Sequence, residues 1–279
     1  MYIVIIKERK KDKMYTGKDH TFVICAYKEN PHIEETIETL ENQTVKSNII
    51  LSTSTLNDYL KSICEKHNIK IVVNDKPHLA GDDWNYGYES AKTPLVTVAH
   101  QDDIYEKDFL EVTLKAIYKR KKDDVVIAFT DYYELKLGKK VTSNTLLRIK
   151  RIMNFPLAIP GFKRSRFIKR RTLSVGCAIC CPAVTYNKKN VGHNPFDTKY
   201  KNSCDYMTWV KLADKKGAFV YIREKKLGHR IYAESATTLN LSENIRKKED
   251  FEIMCNFWPK PIAKLINRVY AKSEKSNEV

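Results

Sequence analysis

The sequence predicts an α/β protein whose mostly parallel, mixed sheet is flanked by helices, with a basic helical extension at the C-terminal end. Compact apolar runs of strand length recur between residues 21 and 129, as in buried parallel strands. Helical patterns of about ten residues separate these runs, which is typical of βαβ units. No stretch approaches the roughly 18 apolar residues of a membrane-spanning helix, so we expect no transmembrane segment.

The elements can be given in chain order. Strands are predicted at Met1–Ile6, Thr21–Ala26, Asn48–Leu51, Ile69–Val73, Pro94–Ala99, Val125–Phe129, Val175–Cys181 and Ala218–Ile222. Helices are predicted at Ile33–Leu40, Asp58–His67, Tyr88–Ala91, Phe109–Tyr118, Tyr206–Asp214, Ser242–Cys255 and Pro261–Ala271. Between Lys136 and Arg171 the periodic pattern gives way to a basic stretch. We therefore expect an N-terminal strand and basic turn (1–20), a main domain (21–240, with halves of about 21–135 and 136–240) and a basic extension (241–279).

Composition restricts the environment and the partners. The net charge of +16 favours polyanions such as nucleic acid, anionic lipid or phosphorylated substrates, and does not choose among them. The seven cysteines show no regular pairing, and no second pair at zinc-binding spacing follows Cys177 and Cys180, which favours a buried, reduced set. The apolar start at Met1–Ile6 is too short for a secretory signal. We expect a cytoplasmic protein.

Two adjacent carboxylates follow the strand Pro94–Ala99. Asp102 and Asp103 come directly after His100 and Gln101. Carboxylate oxygens at a strand end can hold a divalent ion and leave coordination positions open for phosphate, and ligands of parallel sheets bind beyond the carboxyl ends of the strands. Taken alone, the pair could also be a helix cap or a loop feature, so its meaning depends on what surrounds it.

Five motifs in order resemble those of the family 2 glycosyltransferases. Thr21–Thr44 resembles the opening strand, loop and helix; Asp83–Pro94 the Asn-rich helix and turn; Val98–Tyr105 the D-x-D-D cluster; Cys204–Trp209 the acidic acceptor-site motif; and His229–Ser235 the late R-x-H loop. Each motif is weak alone, but five in the same order over about residues 21–238 are specific.

The resemblance implies a GT-A fold and a metal-dependent, inverting transfer of a sugar from a nucleotide-sugar donor. A UDP-sugar is the expected donor, and the acceptor would be a saccharide or lipid-linked glycan in cell-surface polysaccharide synthesis. Asp102 and Asp103 would hold Mn²⁺ or Mg²⁺ against the diphosphate, and Asp205 would deprotonate the acceptor hydroxyl. Arg230 and His229 would add positive charge at the diphosphate, and Trp209 would contact the acceptor. The donor nucleotide would contact Ala26, Tyr27, Glu29, Thr53, Ser54, Asp83, Asn85, Gln101 and Asp102.

Four sites depart from the family pattern, one of which is Cys204, where an acidic residue often precedes the presumed base. His100 stands where the first Asp of D-x-D-D is usual, Ser52–Ser54 where an Asp usually holds the base, and Tyr232 where a His is frequent. Two alternatives stay open. One is a nucleotidyltransferase, although Cys25–Glu29 lacks a glycine-rich phosphate loop. The other is a basic membrane- or nucleic-acid-binding protein that retains the fold.

Individual residues also have structural alternatives. Asp205 could be an N-cap, Trp209 could pack in the core, and Asp83–Asn85 could be a capped helix start. The basic segments Lys163–Arg171 and Phe251–Lys272 combine cations with apolar residues. The C-terminal helix could dock on anionic lipid at the inner face of the plasma membrane, or the segments could be solvated faces that close the core. Nucleic acid is not expected, because no nucleic-acid motif accompanies the charge.

Overall fold

The computed structural model describes residues 14–76, 79–232 and 243–274. The strands are β1 (His20–Ala26), β2 (Asn48–Thr53), β3 (Lys70–Val73), β4 (Leu95–His100), β5 (Ile104–Tyr105), β6 (Ile127–Lys136), β7 (Lys139–Val141), β8 (Val184–Asn187) and β9 (Phe219–Ile231). The helices are α1 (Ile33–Glu41), α2 (Asp58–Lys66), α3 (Ala80–Ser90), α4 (Phe109–Lys119), α5 (Thr145–Asn154), α6 (Arg166–Leu173), α7 (Lys188–Val191), α8 (Cys204–Ala213), α9 (Glu243–Met254) and α10 (Lys260–Glu274).

One mixed sheet forms the centre of the fold, in the order β3-β2-β1-β4-β8-β6-β9-β5, with β7 paired to β6. The first four strands in that order run parallel. β8 is antiparallel to both β4 and β6, while β6 and β9 run parallel. The predicted α/β fold with a mixed sheet flanked by helices is confirmed, and its parallel strands are concentrated in the first half of the chain.

Alternate side chains of β1 supply the two faces of the core, as the period of two in a strand requires. Phe22 and Ile24 lie in an apolar cluster with α1, α2 and α4. Val23 points to the other face and lies in a second cluster with α3 and α8. Because both faces are covered, the polar groups that follow β1, β2 and β4 at their carboxyl ends are the part of the sheet left open to ligands.

The strand predicted at Val175–Cys181 is wrong. The chain there is irregular and leads through a single 3₁₀ turn at Cys181–Ala183 into the short β8. Gly176 has a φ of 146°, and an added Cβ atom there would lie 2.4 Å from the ring of Tyr270. The apolar residues are buried against helices instead of paired in the sheet, and periodicity alone cannot separate these two reasons for an apolar run.

The basic stretch after Lys136 contains two helices that the sequence analysis missed. In α5, the side chain of Asn144 accepts a hydrogen bond from the amide of Leu147 at 2.8 Å, and in α6 Ser165 caps the helix in the same way. Such caps satisfy amides that a helix cannot bond internally. The predicted strand Met1–Ile6 lies outside the described residues.

The C-terminal helices α9 and α10 form a small third cluster through Met254, Ala263 and Tyr270, which confirms both predicted helices. Several hydrogen bonds tie this pair to the main domain, among them those of Glu249 and Asp250 to residues 201–203 and two made by aromatic side chains. Trp258 Nε1 donates to the carbonyl of Ser174 at 2.8 Å, and the amide of Cys177 donates to the Tyr270 hydroxyl at 3.3 Å. Across the three described ranges, no helix has the length and apolar character needed to span a membrane.

Candidate active site

Asp103 joins the end of β4 to β9. Its carboxylate is fully buried, and Oδ1 accepts hydrogen bonds from His229 Nδ1 at 2.9 Å and from the amide of Arg230 at 3.0 Å. Burial alone would raise the pKa of Asp103, but the charge and hydrogen bond of His229 outweigh it and hold that pKa below its ordinary value. Burial works in the opposite direction on His229, whose pKa the Asp103 charge raises. The two groups therefore form an ion pair whose carboxylate is buried and whose imidazole is partly exposed.

Asp102 turns toward a different set of partners. Its Oδ2 accepts a hydrogen bond from the Tyr232 hydroxyl, and its carbonyl oxygen accepts one from Arg230 Nε, both at 2.9 Å. Burial and the adjacent Asp103 charge raise the pKa of Asp102. The same guanidinium reaches Glu35 on α1 at 2.5 Å. Arg230 thus ties the acidic turn to β9 and α1 and brings positive charge to the predicted diphosphate site.

His100 completes a cluster that can ligate a metal ion. Its ring stacks on Trp84 with centroids 5.0 Å apart, and its Nδ1 lies 3.8 Å from Asp103 Oδ2, too far for a hydrogen bond. His100, Asp102 and Asp103 each offer a ligand atom, and these atoms lie within 4.8 Å of one another. Asp103 Oδ2 and His100 Nε2 are buried and have no hydrogen-bond partner among the described residues. An unpaired carboxylate oxygen beside an imidazole fits a divalent cation.

Two pairs of predicted donor contacts meet at the neighbouring strand ends. The backbone of Tyr27 is held by Gln101, whose Oε1 accepts from the Tyr27 amide at 3.0 Å and whose Nε2 donates to its carbonyl at 3.1 Å. Ser54 donates to Asp83 Oδ2 at 2.8 Å. The close approach of α3 to the sheet makes this second contact possible, because an added Cβ atom at Gly87 would lie 2.8 Å from Val23.

The other donor residues lie at these strand ends but differ in access. Glu29 and the ring of Tyr27 are exposed, whereas Ala26 and Thr53 are buried. Thr53 Oγ1 accepts a hydrogen bond from the amide of Thr55 at 3.0 Å and so shapes the loop after β2. Buried residues at this position can fix the backbone conformation of a nucleotide-binding site without their side chains touching the nucleotide.

Two predicted contacts are wrong in this structure. Asn85 is buried and makes reciprocal hydrogen bonds of 2.9 Å with the backbone of Phe196, so both ends of its amide are already used. Trp209 is 0% exposed and its ring stacks on Tyr186 at 5.9 Å, which leaves no surface for an acceptor sugar. Both residues position the chain. The alternative that Trp209 packs in the core is confirmed, whereas a capped helix start at Asp83–Asn85 is wrong, because α3 begins at Ala80 with Leu79 as its N-cap residue.

Asp205 lies in the first turn of α8, where Ser203 and not Asp205 is the N-cap residue. Its Oδ1 accepts a hydrogen bond from the amide of Tyr206 at 2.7 Å, and its Oδ2 lies 3.9 Å from the Cys177 thiol. Burial raises the pKa of Asp205, and the charge of Arg246 opposes that shift. The thiol of Cys177, whose own pKa burial raises, stays protonated and can donate to the carboxylate.

Several residues of this site were missed in the sequence. Lys150 on α5 donates to the Tyr132 hydroxyl at 3.0 Å, and its positive charge contributes to the pKa values of Asp205 and His229. The cap at Asn144 was a signal for α5 that the basic composition obscured. The sequence analysis treated Tyr232 only as a departure from the family pattern, but its hydroxyl donates a hydrogen bond to Asp102. No sequence pattern indicated that Glu35 pairs with Arg230.

Comparison with known proteins agrees with this arrangement. The sequence model of the family described as glycosyl transferase family 2 matches residues 21–191. The structure of S. aureus TarS 1–349 in complex with UDP-GlcNAc is similar, with a TM-score of 0.63 and 14% identity over 93% of this chain and 73% of that chain. The mannosyltransferase PcManGT from Pyrobaculum calidifontis, in complex with GDP-Man and Mn²⁺, has a TM-score of 0.59 and 14% identity over 94% and 71%.

At these identities the similarity to solved structures shows the fold, and it confirms the predicted GT-A architecture. No curated protein matches the sequence.

Proposed function

Because this chain belongs to glycosyl transferase family 2, we propose that it transfers a sugar from a nucleotide-sugar donor to a hydroxyl group of a saccharide or lipid-linked glycan, with inversion. The observation that carries this proposal is the meeting of Asp102 and Asp103 with Arg230 in one acidic turn held by β9. The structural relatives bind UDP-GlcNAc and GDP-Man, which supports a nucleotide-sugar donor, and we propose a UDP-sugar.

Mn²⁺ or Mg²⁺ would be held by Asp102, by the free Oδ2 of Asp103 and by His100. When bound, the ion supplies Lewis-acid charge at the donor diphosphate. Since Asp103 Oδ1 is occupied by His229 and Arg230, only one oxygen of this carboxylate is free for the metal. The imidazole nitrogen of His100 favours Mn²⁺ over Mg²⁺, which prefers oxygen ligands.

The chain's own residues divide the work of donor binding. The exposed Tyr27 ring and Glu29 lie where the base and ribose would sit, beside the Ser54–Asp83 pair. Arg230 brings charge to the diphosphate while two of its nitrogens hold Asp102 and Glu35. Its guanidinium is therefore oriented before a donor arrives, which reduces the entropy that binding would cost.

Asp205 is the proposed general base. Its carboxylate takes the proton of the acceptor hydroxyl while the hydroxyl oxygen forms a bond to the anomeric carbon. The bond from that carbon to the diphosphate oxygen breaks, and the nucleoside diphosphate leaves with the electron pair. One displacement of this kind inverts the anomeric configuration. The raised pKa of Asp205, caused first by burial, makes the carboxylate a stronger proton acceptor.

The parts of the chain have separate roles in this proposal. The half at about 21–135 binds the donor, the half at about 136–240 supplies the base and the acceptor site, and residues 241–279 form the basic extension. We place the reaction in cell-surface polysaccharide synthesis at the inner face of the plasma membrane, because α10 carries lysines and arginines beside exposed apolar side chains. Trp209 is buried and takes no part in acceptor binding in this proposal.

A donor screen tests the proposal directly. Nucleotide sugars are added to the protein with Mn²⁺ or with EDTA, and the melting temperature and the released nucleotide are measured. A cognate donor at about 100 times its Kd adds about 2.7 kcal/mol to the free energy of unfolding. We expect this gain with Mn²⁺ and not with EDTA. Asp58→Asn, an exposed carboxylate on α2, is the matched control and should keep the full gain. A metal-replete protein that no nucleotide sugar stabilises would contradict the proposal.

A further inference from the structure

The positive charge of the chain is concentrated in one stretch. From Leu135 to Phe196, 62 consecutive residues contain 14 lysines and arginines and no aspartate or glutamate. This stretch alone carries +14, compared with +16 for the whole chain. It includes α5 and α6. Carboxylates outside the stretch form ion pairs with seven of its fourteen cations, Arg151, Arg166 and Arg170 among them, so the unneutralised excess is smaller than +14 and still positive. A field of one sign over a surface attracts a partner of the opposite sign.

The same stretch exposes large apolar side chains beside its cations. Ile152 on α5 is 72% exposed and Phe167 on α6 is 65% exposed. Between them, Phe155 and Phe162 are also exposed, so that all the exposed phenylalanines of the described residues lie here. Arg148 and Arg171 have no ion-pair partner in the described ranges. A solvated helix face would not carry these aromatic and aliphatic groups.

Helix α10 repeats this combination. Its inner side buries Ala263, Asn267 and Tyr270 against α9. On its outer side, Leu265 and Val269 are 62% and 64% exposed, and at a spacing of four residues they share one helix face. Lys264 and Arg268 are exposed next to them, and the sequence from Lys260 to Lys272 contains no acidic residue. The helix therefore has a second apolar stripe that its own fold does not cover.

Aromatic contacts make α6 continuous with the start of α10. The Arg171 guanidinium lies between two rings, 5.4 Å from Phe167 and 4.6 Å from Trp258. The neighbouring Arg170 lies 4.8 Å from the Phe257 ring. A groove of about 460 Å³ runs between them and is lined by three arginines and two phenylalanines. We call the exposed residues of α5, the 155–162 segment, α6 and α10 the basic apolar surface.

We propose that the basic apolar surface binds an anionic lipid bilayer. Its isoleucine, leucine, valine and phenylalanine side chains would enter the boundary between headgroups and acyl chains, while lysines and arginines meet the anionic headgroups. This inference deepens the membrane-side location given with the proposed function, and it replaces α10 alone with a wider surface that includes α5 and α6. Binding of this kind needs no donor and no turnover.

Charge and chemistry favour a bilayer over other partners. Two copies of the chain that met through this surface would bring many arginines and lysines against one another, and Asp214, the carboxylate beside α6, is already paired with Arg166 and Arg170. Nucleic acid would satisfy the cations, but its phosphate backbone offers nothing to Ile152, Leu265 or Val269. A bilayer with anionic lipids satisfies both the charged and the aliphatic groups.

The surface is also joined to the proposed base. Trp258 and Tyr270 hold the backbone of Ser174 and Cys177 through hydrogen bonds of 2.8 and 3.3 Å. The Cys177 thiol lies 3.9 Å from Asp205 Oδ2.

Vesicle co-sedimentation tests the proposal on the full chain. The vesicles are phosphatidylcholine with or without phosphatidylglycerol, and no donor is present. We expect binding only with phosphatidylglycerol, weakening as salt is raised. Arg148→Gln with Arg268→Gln should weaken binding about 25-fold, since each cation near an anionic surface contributes about fivefold. Ile152→Ser with Leu265→Ser should weaken it about tenfold through lost apolar insertion.

Controls separate this proposal from a failure of folding or of catalysis. Leu137→Ser, at a position that is 77% exposed on the β6–β7 turn, and Lys107→Glu, before α4, should bind vesicles like the native protein. All variants should keep the donor-dependent rise in melting temperature. Equal binding to phosphatidylcholine alone, or native binding by both double variants, would overturn the proposal. The proposal would also be overturned if the double variants bound vesicles like the native protein and changed only the oligomeric state or only the binding to DNA.

Discussion

The two halves proposed for the domain, a donor half at about 21–135 and an acceptor half at about 136–240, use their sequence differently. In the donor half, β3, β2, β1 and β4 are all parallel, and each predicted donor loop follows directly on its strand. In the acceptor half, β8 has only four residues and runs antiparallel to both neighbours. Where the two halves meet, the pairing of β6 with β9 shifts register between Thr130 and Tyr132. The comparison teaches that a repeated backbone pattern positions the proposed donor loops, whereas the proposed base lies on a helix that packs against irregular chain at Cys177.

The register shift in β6 has a consequence for the site. Arg151 binds Asp131 Oδ2 at 2.6 Å and the carbonyl of Tyr132 at 3.1 Å, so α5 is anchored on the irregular part of the strand. Its neighbour Lys150 then reaches the Tyr132 hydroxyl. Bulges of this kind re-aim side chains next to active sites. The charged side chains of α5 are therefore positioned by contacts with β6 that no local sequence pattern predicts.

The largest expected effect tests the connection between the halves at Asp103. Asp103→Asn removes the buried charge that faces His229 and should lower the free energy of unfolding by about 3 kcal/mol in the presence of EDTA. Urea unfolding at neutral pH measures the change. Asp102→Asn is the control and should cost less than about 1 kcal/mol, because an amide can still accept the Tyr232 hydrogen bond. Equal losses in both variants would mean that Asp103 does not join the two halves.

A pH dependence tests the border between the halves at His20. This buried histidine bonds Ser47 at 2.7 Å and Thr97 at 2.8 Å, and Thr97 continues to Thr185 on β8. Burial lowers the pKa of His20 to about 3 from 6.5. Between these two pH values the unfolded chain binds the extra proton. The stabilisation is therefore complete above pH 6.5 and is lost as pH falls, by up to about 1.4 kcal/mol per pH unit.

The measurement is the free energy of unfolding of the native protein and of His20→Gln from pH 6.5 down to pH 4. His20→Gln should flatten the acid limb of the curve, while His193→Gln, an exposed histidine, should leave its slope unchanged. Identical slopes in the native protein and His20→Gln would show that His20 is protonated in the folded state.

A metal titration tests the donor half at the position where it departs most from its family. His100→Phe keeps a ring on Trp84 and removes the nitrogen, so Mn²⁺ affinity should fall about tenfold, while Mg²⁺ binding changes less. Loss of the free Mn²⁺ signal in electron paramagnetic resonance measures this without any turnover. His193→Phe is the matched control. Unchanged Mn²⁺ affinity in His100→Phe would remove His100 from the ligand set.

The smallest effect concerns the core of the acceptor half. Trp209→Phe should lower the free energy of unfolding by about 1–2 kcal/mol, because a smaller ring leaves space beside Tyr186. The KM for the acceptor should stay the same, since Trp209 has no exposed surface. A higher acceptor KM with unchanged stability would restore the predicted sugar contact.

How much could be predicted differs between the halves for physical reasons. Asp102 and Asp103 could be found because they follow a buried strand directly, and strand ends meet at one edge of a parallel sheet. The role of Asn85 could not, because its partner Phe196 is 111 residues away in sequence. The role of Trp209 could not be predicted either, because the sequence pattern around a helical tryptophan is the same whether its ring packs on Tyr186 or on a sugar.

One matched pair of variants tests the central claim, which is that the donor half binds and the acceptor half supplies the base. Donor binding with Mn²⁺ is measured by calorimetry, and transfer by released nucleotide, for Asp102→Asn and Asp205→Asn. We expect Asp205→Asn to bind the donor like the native protein and to lose transfer by about 10²–10⁴-fold, and Asp102→Asn to lose metal-dependent binding. Native transfer by Asp205→Asn, or native donor binding by Asp102→Asn, would contradict it.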